Sequence, residues 1–256
     1  MKPKIGVFSF TSCEGCQLTI LNLEDELLAL LGHLEIVNFR EAIDEKRNDY
    51  DVAFVEGSIT REVEVEEVKE IRGHAKFLVA IGACACLGGV NGMKNLHDLD
   101  QARRTVYGEG ARYFDTQPTR RVRDVVPVDY EMHGCPIDKK EFIRVAASLL
   151  MGQVPKMPGD AVCNECKAKA NVCLYDKGEY CLGAVTREGC GAICPTYGEI
   201  CVGCRGFVDH PNLDSIVEVM KSRGLNRRDI ELRLTLFNAL TPVDLNRYFS
   251  NQGVAL

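Results

Sequence analysis

The chain has 256 residues, a net charge of −6 and a hydrophobic fraction of 46%, which is ordinary for a globular protein of one large or two modest domains. This acidic balance, without a basic run, argues against nucleic acid as a partner. We find no apolar stretch near the ~18 residues that a membrane span needs, and no export signal before the first predicted strand. We therefore expect a cytoplasmic protein whose 13 cysteines are reduced.

The first part of the chain predicts an α/β domain. Short apolar runs alternate with amphipathic helical patterns, which is typical of a parallel sheet with helices on both faces. The predicted strands are residues 4–10, 34–39, 51–56 and 76–81, with a last candidate at 126–130. The predicted helices are residues 17–31, 61–72 and 139–151, and most of 107–126 is predicted as loop.

Four cysteines of this domain each lie just past the end of a predicted strand: Cys13, Cys16, Cys84 and Cys135. Because the carboxyl ends of parallel strands lie at one edge of a sheet, we expect these thiols to converge there. They would form a four-thiolate metal site, unless they only pack as small hydrophobic groups. Cys86 is predicted to be a plain buried thiol, and the sequence assigns no role to Glu14 between the first two cysteines.

Glycine and proline interrupt both periodicities at residues 152–159, which predicts a boundary between domains 1–152 and 153–256. The chain is predicted to be helical again from about residue 207 to residue 256. Helices are predicted at 212–223 and 226–240, and Thr241-Pro242 is the pattern of a further helix start.

Eight cysteines lie in the glycine-rich segment 163–204, which has too few apolar residues to form a core. Strong bonds must therefore order it, and thiolate–metal bonds are the obvious candidates. Two four-iron clusters would use all eight thiols. Zinc remains an alternative, although four-cysteine zinc sites usually have shorter gaps between their C-x-x-C pairs. Disulfides are a weaker alternative because the total number of cysteines is odd.

The stretches Cys13-Glu14-Gly15-Cys16, Gly82-Ala83-Cys84-Ala85 and Gly134-Cys135-Pro136, followed by the eight-cysteine segment, together resemble the small subunit of a NiFe hydrogenase. The resemblance implies a flavodoxin-like domain and then an iron–sulfur domain with little regular structure. It also implies three sets of cluster ligands. These are the proximal quartet (Cys13, Cys16, Cys84, Cys135), the medial quartet (Cys190, Cys194, Cys201, Cys204) and the distal quartet (Cys163, Cys166, Cys173, Cys181).

Two positions distinguish branches of this family. The periplasmic and membrane-linked branch has histidine where Cys163 stands and often proline where Cys194 stands, which gives a three-iron medial cluster. With cysteine at both positions, the chain is most similar to the cytosolic branch, and we expect three 4Fe-4S clusters. The delta subunits of NAD(P)-linked hydrogenases, also called sulfhydrogenases, resemble it best. Small subunits of F420-linked and heterodisulfide-reductase-linked hydrogenases come next.

The resemblance implies an oxidoreductase subunit with no catalytic residue and no nickel of its own. Electrons would pass between the NiFe site of a partner large subunit and a further redox subunit, which holds flavin or iron–sulfur. The reaction would be H2 oxidation or proton reduction, with the terminal acceptor left open. Alternative functions are a free-standing iron–sulfur electron carrier and a zinc-stapled interaction module. Arg205 and Lys167 lie beside ligands and could raise the reduction potential of a cluster, although both are predicted mainly as surface charges.

Overall fold

A five-stranded sheet is the centre of the computed structural model, which describes residues 2–241 and 243–249. All four strand pairs are parallel, and the spatial order is β2-β1-β3-β4-β5. This is the flavodoxin-like order, so the predicted fold class is confirmed. The strands are β1 (Lys4–Ser9), β2 (Glu35–Phe39), β3 (Val52–Glu56), β4 (Phe77–Ile81) and β5 (Tyr130–Met132).

Helices cover both faces of this sheet, which explains why β3 and β4 are apolar along nearly their whole length. One hydrophobic core contains Ile20 and Phe142, and the core on the opposite face contains Val68 and Leu87. The helices of this part are α1 (Gly15–Leu21), α2 (Asp25–Leu31), α3 (Glu62–His74), α4 (Gly82–Leu87), α5 (Leu99–Tyr107) and α6 (Lys139–Leu150).

The single helix predicted at residues 17–31 is wrong, because the chain turns between α1 and α2. Glu24 adopts a positive φ of 54° there, and the amide of Leu23 bonds to the carbonyl of Ile20 instead of continuing the helical pattern. The turn places Leu23 in the core, whereas α2 has no fully buried residue. Periodicity alone did not reveal the break, since leucines follow the same spacing on both sides.

The last strand also differs from the prediction, since it runs from Tyr130 to Met132 and not through residues 126–130. Pro127 has no amide hydrogen to donate, which favours an irregular approach to the strand. Residues after β4 that carried no predicted element form α4, a 3₁₀ segment at Val90–Leu96 and α5. Residues 107–126 are mostly irregular, as predicted, with short 3₁₀ turns at Gly108–Tyr113 and Val122–Asp124.

The remainder of the chain consists of cysteine-bearing loops packed under short helices. Ile216, Met220 and Ile230 form a small core with Leu182 and Val185 from the loops. The side chain of Asn212 accepts from the amide of Ser215, and that of Asn226 from the amide of Asp229, so both asparagines cap helices. The helices are α7 (Val162–Ala168), α8 (Ile193–Thr196), α9 (Leu213–Ser222), α10 (Arg227–Thr235) and α11 (Asn246–Phe249).

One helix of the tail is shorter than predicted. The helix expected at 226–240 ends at Thr235, and residues 236–240 are turns. The expected helix start at Thr241-Pro242 includes Pro242, which lies outside the described residues. None of the helices in the described part of the chain is long and apolar enough to cross a membrane.

The contact between β3 and α6 gives a test of the packing. The rings of Phe54 and Phe142 lie 5.2 Å apart. We expect Phe142→Ala to lower the free energy of unfolding by about 3–5 kcal/mol, because it leaves a cavity in a closed core. Leu28→Ala is the control, since Leu28 is 67% exposed, and it should change stability by less than about 0.5 kcal/mol. Urea denaturation of the full chain measures both, and equal effects would contradict this packing.

Candidate metal centres

The proximal quartet lies at the carboxyl edge of the sheet. Cys13 and Cys16 follow β1, Cys84 lies within α4 directly after β4, and Cys135 follows β5. The loops after β4 and β5 are joined, since the amide of Ala83 donates to the carbonyl of Gly134 at 2.6 Å. Strand order thus brings together thiols that are more than a hundred residues apart in sequence, at the edge where open α/β sheets bind ligands.

Burial opposes ionisation of two thiols of the proximal quartet. Burial, together with the nearby Cys135 and Cys13, raises the pKa of the Cys84 thiol to about 12. The pKa of Cys135 is also raised, first by burial and then by Cys13. These thiols are therefore protonated at neutral pH without a cation, and a metal would displace the protons.

Glu56 orients this quartet and was missed by the sequence reasoning. It ends β3, is almost fully buried, and its carboxylate accepts from the amides of Cys16 at 3.0 Å and Gln17 at 3.3 Å. The side-chain amide of Gln17 donates to the same carboxylate at 2.9 Å. A lone acid at the end of an otherwise apolar strand was the available signal.

Two other residues beside this quartet have ordinary surroundings. Cys86 is fully buried, and its thiol donates to the carbonyls of Ala80 at 3.4 Å and Met132 at 3.6 Å, as a packed structural thiol does. Glu14 has a positive φ of 61° and its carboxylate accepts from the hydroxyl of Ser9 and from Arg40.

The distal quartet lies on α7, which contains Cys163 and Cys166, and on the loop that follows it, which contains Cys173 and Cys181. Burial raises the pKa of Cys163, and the adjacent Cys181, Cys166 and Cys173 raise it further. The amide nitrogen of Cys201 lies 3.3 Å from Cys181 Sγ and donates to it. The Asn171 side-chain amide reaches Cys166 Sγ at 3.6 Å.

The medial quartet is the most enclosed of the three. Burial is the main reason that the pKa of the Cys201 thiol is raised to about 12 and that of Cys204 to about 11. A cavity of about 190 Å³ is lined by Cys135 and by all four thiols of the medial quartet.

The medial quartet also touches both of the others. Cys135 of the proximal quartet lines the same cavity as the four medial thiols, and the Cys201 amide donates to Cys181 Sγ of the distal quartet. Sets made entirely of thiols, with amide donors at Cys181 and Cys166, fit iron–sulfur clusters. In residues 2–241 and 243–249, no three His, Cys, Asp or Glu side chains are close enough to hold one metal ion.

Known proteins resemble this chain in both architecture and sequence. A parallel sheet with thiols at its carboxyl edge, followed by cysteine-rich loops, is the plan of an iron–sulfur redox subunit. Residues 13–149 match the family of the NADH ubiquinone oxidoreductase 20 kDa subunit. The chain is 40% identical to sulfhydrogenase 2 subunit delta of Pyrococcus furiosus over 220 residues, which cover 85% of this chain and 92% of that subunit.

Further relatives extend over nearly the whole chain. A subunit of the F420-non-reducing hydrogenase vhu of Methanocaldococcus jannaschii is 33% identical, and the match covers 94% of this chain and 95% of that subunit. A chain of the actinobacterial-type NiFe-hydrogenase from Ralstonia eutropha H16 has the same fold, with a TM-score of 0.58 and 17% identity over 99% of this chain and 92% of that one. The chain therefore belongs to the NADH ubiquinone oxidoreductase 20 kDa subunit family, among the small subunits of NiFe hydrogenases.

Gly82 allows a direct test of the sheet-edge geometry. Its φ is +86°, and a Cβ there would lie 2.5 Å from Cys16 Sγ. We expect Gly82→Ala to displace Cys16, to cost about 1–2 kcal/mol of stability and to lower the iron content of the purified protein. Gly73→Ala in α3 is the control, because a Cβ there meets nothing within 4 Å. A G82A protein with unchanged iron content would contradict the arrangement.

Proposed function

We propose that this chain is the electron-transfer subunit of a cytoplasmic NiFe hydrogenase, with one 4Fe-4S cluster in each of the proximal, medial and distal quartets. When bound, these clusters supply reversible one-electron chemistry. The chain contributes no catalytic residue to H2 chemistry. Dihydrogen would be oxidised, or protons reduced, at the NiFe site of a partner large subunit, and this chain would connect that site to a further redox subunit.

The proposal depends most on one observation: the proximal quartet lies against the medial quartet, and the medial quartet lies against the distal one. Cys135 of the proximal quartet lines one cavity of about 190 Å³ together with all four thiols of the medial quartet. The amide of Cys201, in the medial quartet, donates to Cys181 Sγ of the distal quartet at 3.3 Å. These contacts support a continuous series of adjacent sulfur sites from the sheet edge to the end of the cysteine-rich loops. A zinc-stapled module needs no such series.

Amide donors beside the sulfurs give the protein control over the reduction potential. The backbone amide of Cys201 donates to Cys181 Sγ at 3.3 Å, and the side-chain amide of Asn171 lies 3.6 Å from Cys166 Sγ. Hydrogen bonds to sulfur stabilise the more negative, reduced state and therefore raise the potential. Pro136 and Pro195 follow ligands directly and withhold an amide donor at those points.

The two ends of the series are accessible, which fits contact with two partners. Cys13 and Cys135 of the proximal quartet are exposed, and so is Cys173 of the distal quartet, whereas no thiol of the medial quartet is exposed. We place the large subunit at the sheet edge and the further redox subunit, with flavin or iron–sulfur, beside the distal quartet. A free-standing electron carrier would need only one such accessible end.

We also propose that residues 1–152 and 153–256 are the two domains. Phe237 of the tail and Cys204 of the medial quartet pack against the core on one face of the sheet, so the two parts share an apolar contact. The cytoplasmic location rests on the cysteines at positions 163 and 194, which resemble the cytosolic branch of the family.

Anaerobic purification of the native complex tests this function. We expect about twelve irons with acid-labile sulfide per chain, by four irons per cluster, together with a larger nickel-containing partner. Zinc without iron would support the interaction module instead. Twelve irons in a chain that purifies alone would support the free-standing carrier.

Removal of a single ligand tests the assignment of the distal quartet. We expect Cys173→Ser to reduce the iron content by about four per chain and to slow electron delivery to the redox partner. Isotope exchange between H2 and D2O at the NiFe site of the partner subunit should persist, because that reaction needs no electron acceptor beyond the distal quartet. Cys86→Ala is the matched control, because its fully buried thiol already has backbone partners, and it should retain about twelve irons. Equal iron content in both variants would contradict the assignment.

A further inference from the structure

The side chain of Arg205 lies at the junction between the proximal and medial quartets. It follows the ligand Cys204 directly and is only 1% exposed, so the prediction of a surface charge is wrong for Arg205. Lys167, which carried the same prediction, is exposed. A buried guanidinium requires compensation by charge and by hydrogen bonds, and its partners identify what it connects.

The guanidinium is bonded on all three nitrogens. Arg205 Nε donates to the carbonyl of Glu188 at 2.7 Å. Arg205 Nη1 donates to the carbonyl of His133 and, at 2.8 Å, to Glu141 Oε2. Arg205 Nη2 donates to Glu141 Oε1 at 3.1 Å. The Arg205–Glu141 interaction is therefore a bidentate ion pair, and Glu141 is 2% exposed.

These partners belong to three separate parts of the chain. Glu141 lies on α6 of the sheet domain, His133 lies two residues before the proximal ligand Cys135, and Glu188 lies two residues before the medial ligand Cys190. One side chain thus joins the loops of two quartets to a rigid helix. Gly189 fits against this group, since its φ is +118° and a Cβ there would overlap the guanidinium.

The positive charge acts on the medial quartet. Arg205 lines the same cavity of about 190 Å³ as Cys190, Cys194, Cys201 and Cys204. A fixed cation beside a cluster stabilises the reduced form, which carries one more negative charge, and so raises the reduction potential. The carboxylate of Glu141 opposes this effect while it holds the guanidinium in place.

From this arrangement we infer that Arg205 is a positioning residue of the electron path. It sets the reduction potential of the medial cluster and fixes the proximal and medial ligand loops against each other, with Glu141 as its counter-charge. This inference rests on the proposed function, because it requires a cluster in the medial quartet.

The test is a redox titration of the intact anaerobic complex, followed by EPR, with the midpoint potential of the medial cluster as the readout. Glu141→Gln keeps the shape of the side chain and removes the negative charge, so the midpoint potential should rise. Arg205→Gln removes the positive charge, so it should fall. The control is Arg187→Gln, because buried Arg187 bonds instead to the carbonyls of Pro158 and Phe207 and to Asp209. Its midpoint potential should stay at the wild-type value.

Opposite shifts in E141Q and R205Q support the inference, since a merely structural pair would shift both variants in the same direction or neither. If R205Q does not assemble, Arg205→Lys keeps the charge without the planar fork. In the Arg205→Lys complex, the midpoint potential of the medial cluster should lie nearer to the wild-type value than to the E141Q value. Electron transfer from the proximal cluster should be slower. Unchanged midpoints in E141Q and R205Q would overturn the inference while leaving the function standing. A wild-type complex without a medial cluster would instead overturn the proposed function itself.

Discussion

Burial of many thiols beside one another is the constraint on which this structure depends. The thiols of the quartets lie in loops rich in glycine, and Cys135 and the four medial thiols line one cavity. Burial and mutual repulsion both oppose ionisation, so such loops hold protonated thiols that contribute little bonding. If metal replaced those protons, thiolate–metal bonds would hold the loops together. The free energy of metal binding would then contribute directly to the free energy of folding.

The cysteines are positioned by different interactions in the two parts of the chain. In the sheet domain, hydrogen-bonded parallel strands fix where the loops emerge, and Glu56 anchors the start of α1 through backbone amides. In the cysteine-rich part there is little regular structure to do this. Capped helices α9 and α10 cover the loops from one side, and the Arg205–Glu141 pair ties the loops to α6. Removing one partner of a buried pair typically costs about 3–5 kcal/mol.

Much of the fold followed from the sequence, because the alternation of buried apolar runs with amphipathic helices is a local signal. The break between α1 and α2 was not predictable in this way, since it depends on Leu23 reaching the core through a turn at Glu24. The convergence of Cys13, Cys84 and Cys135 was predictable from a general rule about parallel strands. Their assignment as ligands, and the pairing of the other eight, came from the family resemblance and remains a prediction.

Long-range polar contacts were the part that the sequence could not supply. Nothing near Arg205 in the sequence indicates Glu141, which lies 64 residues away, and an arginine beside a cysteine is more often exposed. The same holds for the Cys201 amide and Cys181, and for Cys135 beside the medial thiols, because loops without periodicity give no information about which segments meet. These contacts depend on the complete three-dimensional fold, and they support the proposed series of quartets.

The most direct test is an experimental structure of the anaerobically purified complex, with anomalous difference maps collected on either side of the iron edge. We expect three iron peaks in this chain, one at the centre of each cysteine quartet, with the middle peak next to Arg205. Peaks at the zinc edge in place of iron, or iron found away from these cysteines, would contradict it.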